Sequence, residues 1–245
     1  MKVIRQLIWA PLLLALCGCA ATQIALEKKD LNVQTKMSDT IFLDVEARTQ
    51  KTVFVDIKNT SDKDINLKPT IIAHLQSRGY TIVQNPRKAF YILQGNVLYV
   101  GKADPSALRK SIYAGYGGAI AGGAAGALIG AAANNSSGAW VGGGIGTLVG
   151  GAAEMIAGSL VKDVTYTVVT DIMISEKSSQ PVKQTVNANL KQSKGSRIVQ
   201  TSSKMTKRMR YQTRVGSYAE KVNLKFEEAL PVIIENQAKS ISGIF

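Results

Sequence analysis

The stretch GGAIAGGAAGALIGAAANNSSGAWVGGGIGTLVGG, residues 117–151, decides the expected fold because its composition differs from that of the rest of the chain. Fifteen of the 22 glycines fall between Gly115 and Gly158, and no charged residue occurs from Ser111 to Ala153. The remaining sequence is rich in Lys, Asp, Ser and Thr. This glycine block therefore requires a structural explanation of its own.

The glycine block predicts two helices, residues 111–133 and 139–161, joined at 134–138 by Asn-Asn-Ser-Ser-Gly, which is typical of a turn. At 1.5 Å per residue each helix would be about 33 Å long, enough to cross a hydrocarbon core. We therefore predict a transmembrane α-helical hairpin. A buried soluble helical hairpin and a flexible glycine-rich linker are the alternatives, and the Ile, Leu and Val content disfavours the linker.

Glycine recurs every fourth residue in both predicted helices, which lines up small residues on one helix face and permits close packing in lipid. These positions are Gly118, Gly122, Gly126 and Gly130 in the first helix and Gly138, Gly142, Gly146 and Gly150 in the second. A lone hairpin of Gly and Ala would insert weakly, so we expect copies to assemble into a ring-like homo-oligomer. Glu154 continues the second series, and we expect it to mark the membrane boundary rather than to face a wet lumen.

Residues 1–18 have the organisation of a lipoprotein signal peptide. Lys2 and Arg5 precede the apolar run 7–16, which is too short to span a membrane. The following sequence Leu-Cys-Gly-Cys resembles a bacterial lipobox, so we expect cleavage before Cys19 and attachment of a diacylglycerol and an N-acyl chain to it. An ordinary cleaved signal with incidental cysteines is the alternative.

Processing at Cys19 has consequences for charge and compartment. Removal of two basic residues would change the formal charge from +13 to 13 − 2 = +11, and no free thiol would remain for a disulfide or a metal. Ala20 rather than Asp follows the cysteine, which suggests the outer membrane, with at least partial surface exposure. For an exported chain this charge favours outer-membrane lipids over nucleic acid as the anionic partner.

The regions flanking the glycine block predict an α+β globular domain that the hairpin interrupts. Residues 19–40 would be a lipidated linker, 41–110 the first part of the domain and 162–245 the second. The first part is βαβ-like, with strands at 52–57, 80–83 and 89–100 and a helix that starts near Pro69 and ends at Gly79. The second part predicts a strand at 164–175, weaker strands at 182–190 and 197–203, and a C-terminal helix over 224–242, in which Pro231 indicates either a kink or a later true start.

No pattern in the sequence indicates catalysis, a cofactor or a metal site. His74 is the only histidine, and a lone histidine in a helix is more often structural. The glycine block lacks the Lys-Ser/Thr of a phosphate-binding loop. We therefore expect a protein that is not an enzyme. The densest basic run predicts a solvated strand-and-turn surface formed by Lys204, Lys207, Arg208, Arg210 and Arg214.

Several blocks together resemble the TraT family over nearly the whole mature chain. Besides the lipobox and the glycine block, they are Ile57–Asp64 (IKNTSDKD), Tyr211–Val215 (YQTRV) and Lys221–Ala229 (KVNLKFEEA). Members of that family are plasmid-encoded outer-membrane lipoproteins of conjugative enterobacteria. The resemblance implies surface exclusion, in which fewer mating pairs form with other donor cells, and complement resistance.

The excluded donor would be met outside the cell, so we expect the hairpin tip to contact it if the domain is periplasmic. The candidate contacts are Asn134, Asn135, Ser136, Ser137 and Trp140. The partner would be a donor-cell surface component, such as a pilus tip or an outer-membrane protein. If the domain lies outside, the basic loop 207–214 becomes the candidate. Two alternatives are a structural envelope lipoprotein without exclusion activity and a helical outer-membrane pore.

Overall fold

The computed structural model describes residues 28–44, 50–103, 105–117, 163–192 and 196–245. These residues form a six-stranded sheet with the strand order β1-β6-β5-β4-β2-β3, together with three helices. In chain order the elements are β1 Asn32–Met37, β2 Thr52–Asn59, α1 Lys68–Ser77, β3 Thr81–Ile82, β4 Tyr91–Lys102, α2 Pro105–Tyr113, β5 Asp163–Gln192, β6 Ser196–Val222 and α3 Phe226–Ser242. The edge strand β1 falls within the segment predicted as a linker.

The first half of the sheet is a βαβ arrangement whose apolar residues face one core. β2 pairs in parallel with both β3 and β4, and α1 connects β2 to β3. Val53 and Val55 are buried because alternate residues of a strand point to the same face. Gly79 follows the C-cap residue Arg78 of α1 and has φ +84, a left-handed conformation that glycine usually supplies just after a helix.

The C-terminal helix α3 completes the core of this sheet. It contributes fully buried Ile233 and Ile241, and α1 contributes Ile71 and Leu75 to the same cluster. Its buried Gln237 donates from Nε2 to backbone carbonyls of β5 and β6, 3.3 Å away in both cases. Pro231 lies in the second turn, and the helix continues through it to Ser242.

Two long antiparallel strands, β5 with 30 residues and β6 with 27, dominate the second half of the fold. β4 pairs with β5 only up to Glu176, and β1 pairs with β6 from Val215 onward. Beyond those points β5 and β6 pair only with each other among the described residues. The register shifts between Lys177 and Val182, which indicates a bulge at the point where the ribbon leaves the sheet.

The predicted fold class, an α+β domain interrupted by a transmembrane helical hairpin, is wrong. The described residues are mostly β-sheet, because the segments read as weak strands at 182–190 and 197–203 belong to the two longest strands. Cross-strand pairing supplies their hydrogen bonds although their own sequences are polar. Among the helices in the described ranges, none combines the length and the apolar character that crossing a membrane requires.

The start of the predicted hairpin differs from the expectation for a local reason. The helix expected over residues 111–133 is interrupted, because α2 ends at Tyr113. Gly115 and Gly117 follow with φ values of +69 and +67, which a continuing right-handed helix does not allow. Most of both predicted helices, from residue 118 to 161, lies outside the described residues.

Candidate functional site

The basic run predicted as a solvated surface contains one arginine that is completely buried. Arg214, in the C-terminal half of β6, has 0% exposure. Its Nε donates to Oδ1 of Asp171 at 2.6 Å, and its Nη2 donates to Oδ2 at 3.0 Å. Such two-bond pairing of a guanidinium with a carboxylate is strong and geometrically specific. Arg214 therefore forms a buried ion pair in the interior and is not part of the basic surface.

The same ion pair holds the backbone that leads into the glycine block. Arg214 Nη1 donates to the carbonyl of Ser111 at 3.1 Å, and the N–H of Gly117 donates to Oδ2 of Asp171 at 2.8 Å. The turn between these residues is thus fixed at both ends to the buried ion pair that joins β5 and β6. The block starts from a defined point on the sheet.

The position where the chain re-enters the described structure is also held by charge. β5 begins at Asp163, whose carboxylate accepts from the ammonium of Lys28. The same ammonium lies 3.6 Å from a carboxylate oxygen of Glu220 on β6. The N-terminal segment before β1 is therefore tied to the end of the sheet that lies away from the long ribbon.

A second arginine of the predicted basic surface, Arg208, fixes the base of that ribbon. Its guanidinium donates to the carbonyls of Ala89 at 2.8 Å and Phe90 at 2.9 Å, directly before β4. Partial burial lowers the pKa of Arg208. Because its hydrogen bonds go to backbone carbonyls, this side chain orients the ribbon against the sheet.

The ribbon itself, residues 177–192 and 196–209, is strongly basic, and we call it the basic ribbon. It contains seven Lys and Arg residues and no Asp or Glu. Lys177, Lys183 and Lys204 are exposed, as is Lys207. Met205, between two of these lysines, is 61% exposed. The basic ribbon thus presents cations and an apolar side chain without a neutralising carboxylate of its own. Residues 207–214, expected as a loop, lie within β6.

The acidic residue nearest to the basic ribbon along β5 is buried. Glu176 is 1% exposed, and its Oε2 accepts from the hydroxyl of Tyr211 at 3.0 Å. Burial, followed by this hydrogen bond and the negative charges of Glu176 and Asp44, raises the pKa of Tyr211 to about 12. The tyrosine stays protonated at physiological pH and donates to the carboxylate.

A groove of about 640 Å³ lies between the end of β1 and α2, beside the start of the glycine block. Its lining includes Lys36, Asp39, Arg109 and the 84% exposed Tyr113. Gly216 forms the contact under α2, because a Cβ there would lie 2.6 Å from Leu108 and from Ile112. The groove carries both signs of charge together with apolar side chains, so its chemistry does not select one class of ligand.

Most residues that the sequence marked for function fall outside the described ranges. They are Cys19, the helix-packing glycines Gly118, Gly122, Gly126, Gly130, Gly138, Gly142, Gly146 and Gly150, the tip residues Asn134, Asn135, Ser136, Ser137 and Trp140, and Glu154. His74 is described, and its Nε2 lies 2.8 Å from Oε1 of Glu235, which joins α1 to α3. Within the described ranges, no group of three or more His, Cys, Asp or Glu side chains could hold a metal ion.

Asp171 is the structural residue that sequence reasoning missed. A signal for it exists, because this carboxylate interrupts an otherwise apolar and hydroxyl-bearing run in Val164–Ser175. A charged residue within a buried strand requires a partner. The partner could not be chosen from the sequence, since Arg214 lies 43 positions away.

Comparison with known proteins identifies relatives across nearly the whole chain. The family model described as "Enterobacterial TraT complement resistance protein" matches residues 30–245. A TraT complement resistance protein of Escherichia coli is 45% identical over 232 residues, which cover 94% of this chain and 93% of the relative. Its namesake in Escherichia coli strain K12 is 45% identical over 235 residues, with the same two shares. The resemblance found in the sequence motifs is confirmed, and the chain belongs to the TraT family of enterobacterial complement resistance proteins.

Proposed function

We propose that this protein protects its cell from killing by complement. The observation that carries the proposal is the match to TraT complement resistance proteins at 45% identity over 94% of the chain. The family model matches residues 30–245, a range that includes every described strand and helix, so the similarity is not confined to one motif. As a member of this family, the chain is a protein of the cell envelope.

The proposal includes surface exclusion, the reduction of mating-pair formation with other donor cells. Its support is the motif blocks of the sequence, which lie on structured parts of the described chain. Ile57–Asp64 covers the end of β2 and the turn after it, and Tyr211–Val215 lies in the C-terminal half of β6. Lys221–Ala229 joins β6 to α3.

Anchoring through Cys19 is part of the proposed function. A diacylglycerol and an N-acyl chain on this residue would hold the protein in the outer membrane, because three buried chains make an effectively permanent anchor. The 13 residues from Cys19 to Asn32 span at most about 45 Å when extended. The start of β1 would therefore stay within that distance of the lipid surface.

In this proposal, protection and exclusion act through contact at the cell surface. The family's description names resistance and no reaction. The anchored domain would act by occupying the cell surface, where complement proteins or a mating partner must bind. Two partners stay predictions: a surface component of the donor cell and a second copy of this chain.

Survival in serum tests the main proposal. A serum-sensitive enteric strain without plasmid would express the full chain or carry the empty vector, and viable cells would be counted after exposure to active serum. We expect at least a ten-fold gain in survivors with the chain, and no difference in heat-inactivated serum. Equal killing of both strains in active serum would contradict complement resistance.

A mating assay tests exclusion separately. The same expressing strain would serve as recipient for donors of several related conjugative plasmids, with transconjugants counted per recipient. We expect fewer transconjugants than with the empty vector for at least one donor type. Unchanged numbers against every donor would remove exclusion from the proposal and leave complement resistance to its own test.

A further inference from the structure

We propose that the basic ribbon binds a surface of phosphate-bearing lipid headgroups. The first observation is charge: the basic ribbon contains seven Lys and Arg residues and no Asp or Glu. Lys177, Lys183, Lys204 and Lys207 are exposed, and none of them forms an ion pair in the described structure. Such a concentration of one sign attracts a surface of the opposite sign.

The second observation is the absence of a supporting third strand along the basic ribbon. Among the described residues, pairing with β4 ends at Glu176 and pairing with β1 ends at Val215. The ribbon continues for 14 residues of β6, from Ser196 to Met209, which corresponds to about 45 Å. A two-stranded ribbon is only marginally stable in water, so a binding surface along its length would stabilise it.

Two residues at the base of the basic ribbon, Arg208 and Glu176, are engaged inside the protein and do not meet a ligand. Arg208 is held on the carbonyls of Ala89 and Phe90, so it orients the ribbon without offering its charge to a partner. The neighbouring carboxylate of Glu176 is buried under Tyr211 and presents no negative charge at the surface. The ribbon side chains whose exposure the structure describes are therefore cationic or neutral where they meet solvent.

Headgroup phosphates fit this ribbon better than a second copy of the chain does. Lysines along a strand edge oppose pairing between copies, because the two ribbons would carry the same charge. An anionic lipid surface is continuous over the ribbon's length, and each lysine near it adds to the attraction. Duplex nucleic acid has similar charge but does not match an exported envelope protein. The inference uses the envelope location and does not depend on complement resistance.

Vesicle binding of the full-length chain tests this inference. Every variant would carry Cys19→Ser, so that acyl chains do not hold the protein on all vesicles alike. The ribbon variant is Lys183→Gln, Lys204→Gln and Lys207→Gln. The matched control has the same net charge and replaces three exposed lysines outside the ribbon, Lys58→Gln, Lys63→Gln and Lys239→Gln. Far-UV circular dichroism and melting temperature would verify that both remain folded.

The vesicles are phosphatidylcholine alone or with about a third phosphatidylglycerol. We expect the ribbon variant to bind the anionic vesicles about 100-fold more weakly, since each lysine near such a surface contributes about a factor of five. The control variant should lose less than a quarter as much affinity for the anionic vesicles. Salt at about 1 M should abolish the preference for anionic over neutral vesicles, because it screens the charges.

Three outcomes would overturn the inference. One is an equal loss in the ribbon and control variants, and another is equal binding of the parent chain to neutral and anionic vesicles. The third is tighter binding to a short DNA duplex than to anionic vesicles at the same salt, which would assign the ribbon to nucleic acid. Since purified protein is used, this result and the serum result can fail independently.

Discussion

Arg214 and Asp171 show how one pair of residues connects two distant parts of the chain. The guanidinium is 0% exposed and the carboxylate 8%, and each also hydrogen-bonds to the backbone near the start of the glycine block. Replacing a buried pair by apolar residues is often neutral, but removing only one partner leaves an uncompensated charge in the interior. The pair therefore fixes geometry more than it adds net stability.

Asp171→Ala should lower the free energy of unfolding by about 3–5 kcal/mol, because Arg214 stays buried without its carboxylate. Chemical denaturation followed by circular dichroism measures this. The control is Glu228→Ala, which breaks the exposed pair of Lys221 and Glu228 at 2.6 Å and should cost less than about 1 kcal/mol. If both variants lose less than about 1 kcal/mol of unfolding free energy, the buried pair of Arg214 and Asp171 is not required for the fold.

The raised pKa of Tyr211 predicts that the folded protein loses stability at alkaline pH. Its pKa rises from an ordinary 10.0 to about 12 in the folded protein, first through burial and then through the hydrogen bond to Glu176. A raised folded-state pKa gives stability that is complete below about pH 10 and is lost as the pH rises to about 12. Parent protein should therefore lose more stability over this window than Tyr211→Phe does.

Urea denaturation midpoints at pH 9, 10, 11 and 11.5 measure this difference, and phenolate absorbance at 295 nm follows the tyrosine directly. The other tyrosines titrate in both proteins and cancel in the comparison. Midpoints that fall in parallel with pH for the two proteins would show that Tyr211 is not protected in the folded state.

At the scale of elements, the packing of α2 on β6 determines the place on the sheet from which the glycine block starts. Gly216 leaves the space into which the side chains of Leu108 and Ile112 fit, since a Cβ would lie only 2.6 Å from each of them. A larger residue would press against α2, which carries Ser111 and the following turn.

Gly216→Val should therefore destabilise the protein by about 1–3 kcal/mol through overpacking. A thermal melt monitored by circular dichroism gives the effect. The compensating variant Gly216→Val with Ile112→Ala should recover part of the loss, because the smaller alanine vacates the volume that the new methyl groups need. If the double variant is instead less stable by the sum of the two single losses, the contact is not the cause.

Sequence patterns predicted the elements in which buried apolar residues recur at the spacing of a helix or a strand. α1 and α3 carry Ile and Leu at helical spacing, and both are observed, as is the alternating strand β2. The long partnership of β5 and β6 was not predicted, because residues 182–203 are polar and contain little alternation of their own. Their strand conformation depends on pairing between chain segments, which a local pattern does not report.

Part of the candidate site could also be inferred from residue type alone. The basic character of residues 177–209 follows directly from the sequence, and Lys204 and Lys207 are exposed as the solvated-surface prediction requires. The separate roles of Arg208 and Arg214 could not be predicted, because both were counted with the surface charges. Only the register of β6 against β5 brings Arg214 beside Asp171 and turns it inward.

For the whole molecule, the described sheet has two ends with different chemistry. Lys28, Asp163 and Glu220 gather at the end where β1 begins, which is the end nearest the proposed anchor. The basic ribbon leaves from the opposite end, where Glu176 of β5 is the last residue before it and Arg210 of β6 the first residue after it. The anchor and the ribbon would thus contact their surroundings at separate places, with the sheet and its core between them.

The central claim is that this chain protects its cell from complement when it is held in the envelope. The most direct measurement is survival in active serum of one strain expressing either the parent chain or Cys19→Ser at equal abundance, each normalised to heat-inactivated serum. The account predicts at least ten-fold more survivors with the parent chain than with the empty vector, and a return to the vector level with Cys19→Ser. Survival at the vector level with the parent chain itself would contradict the claim.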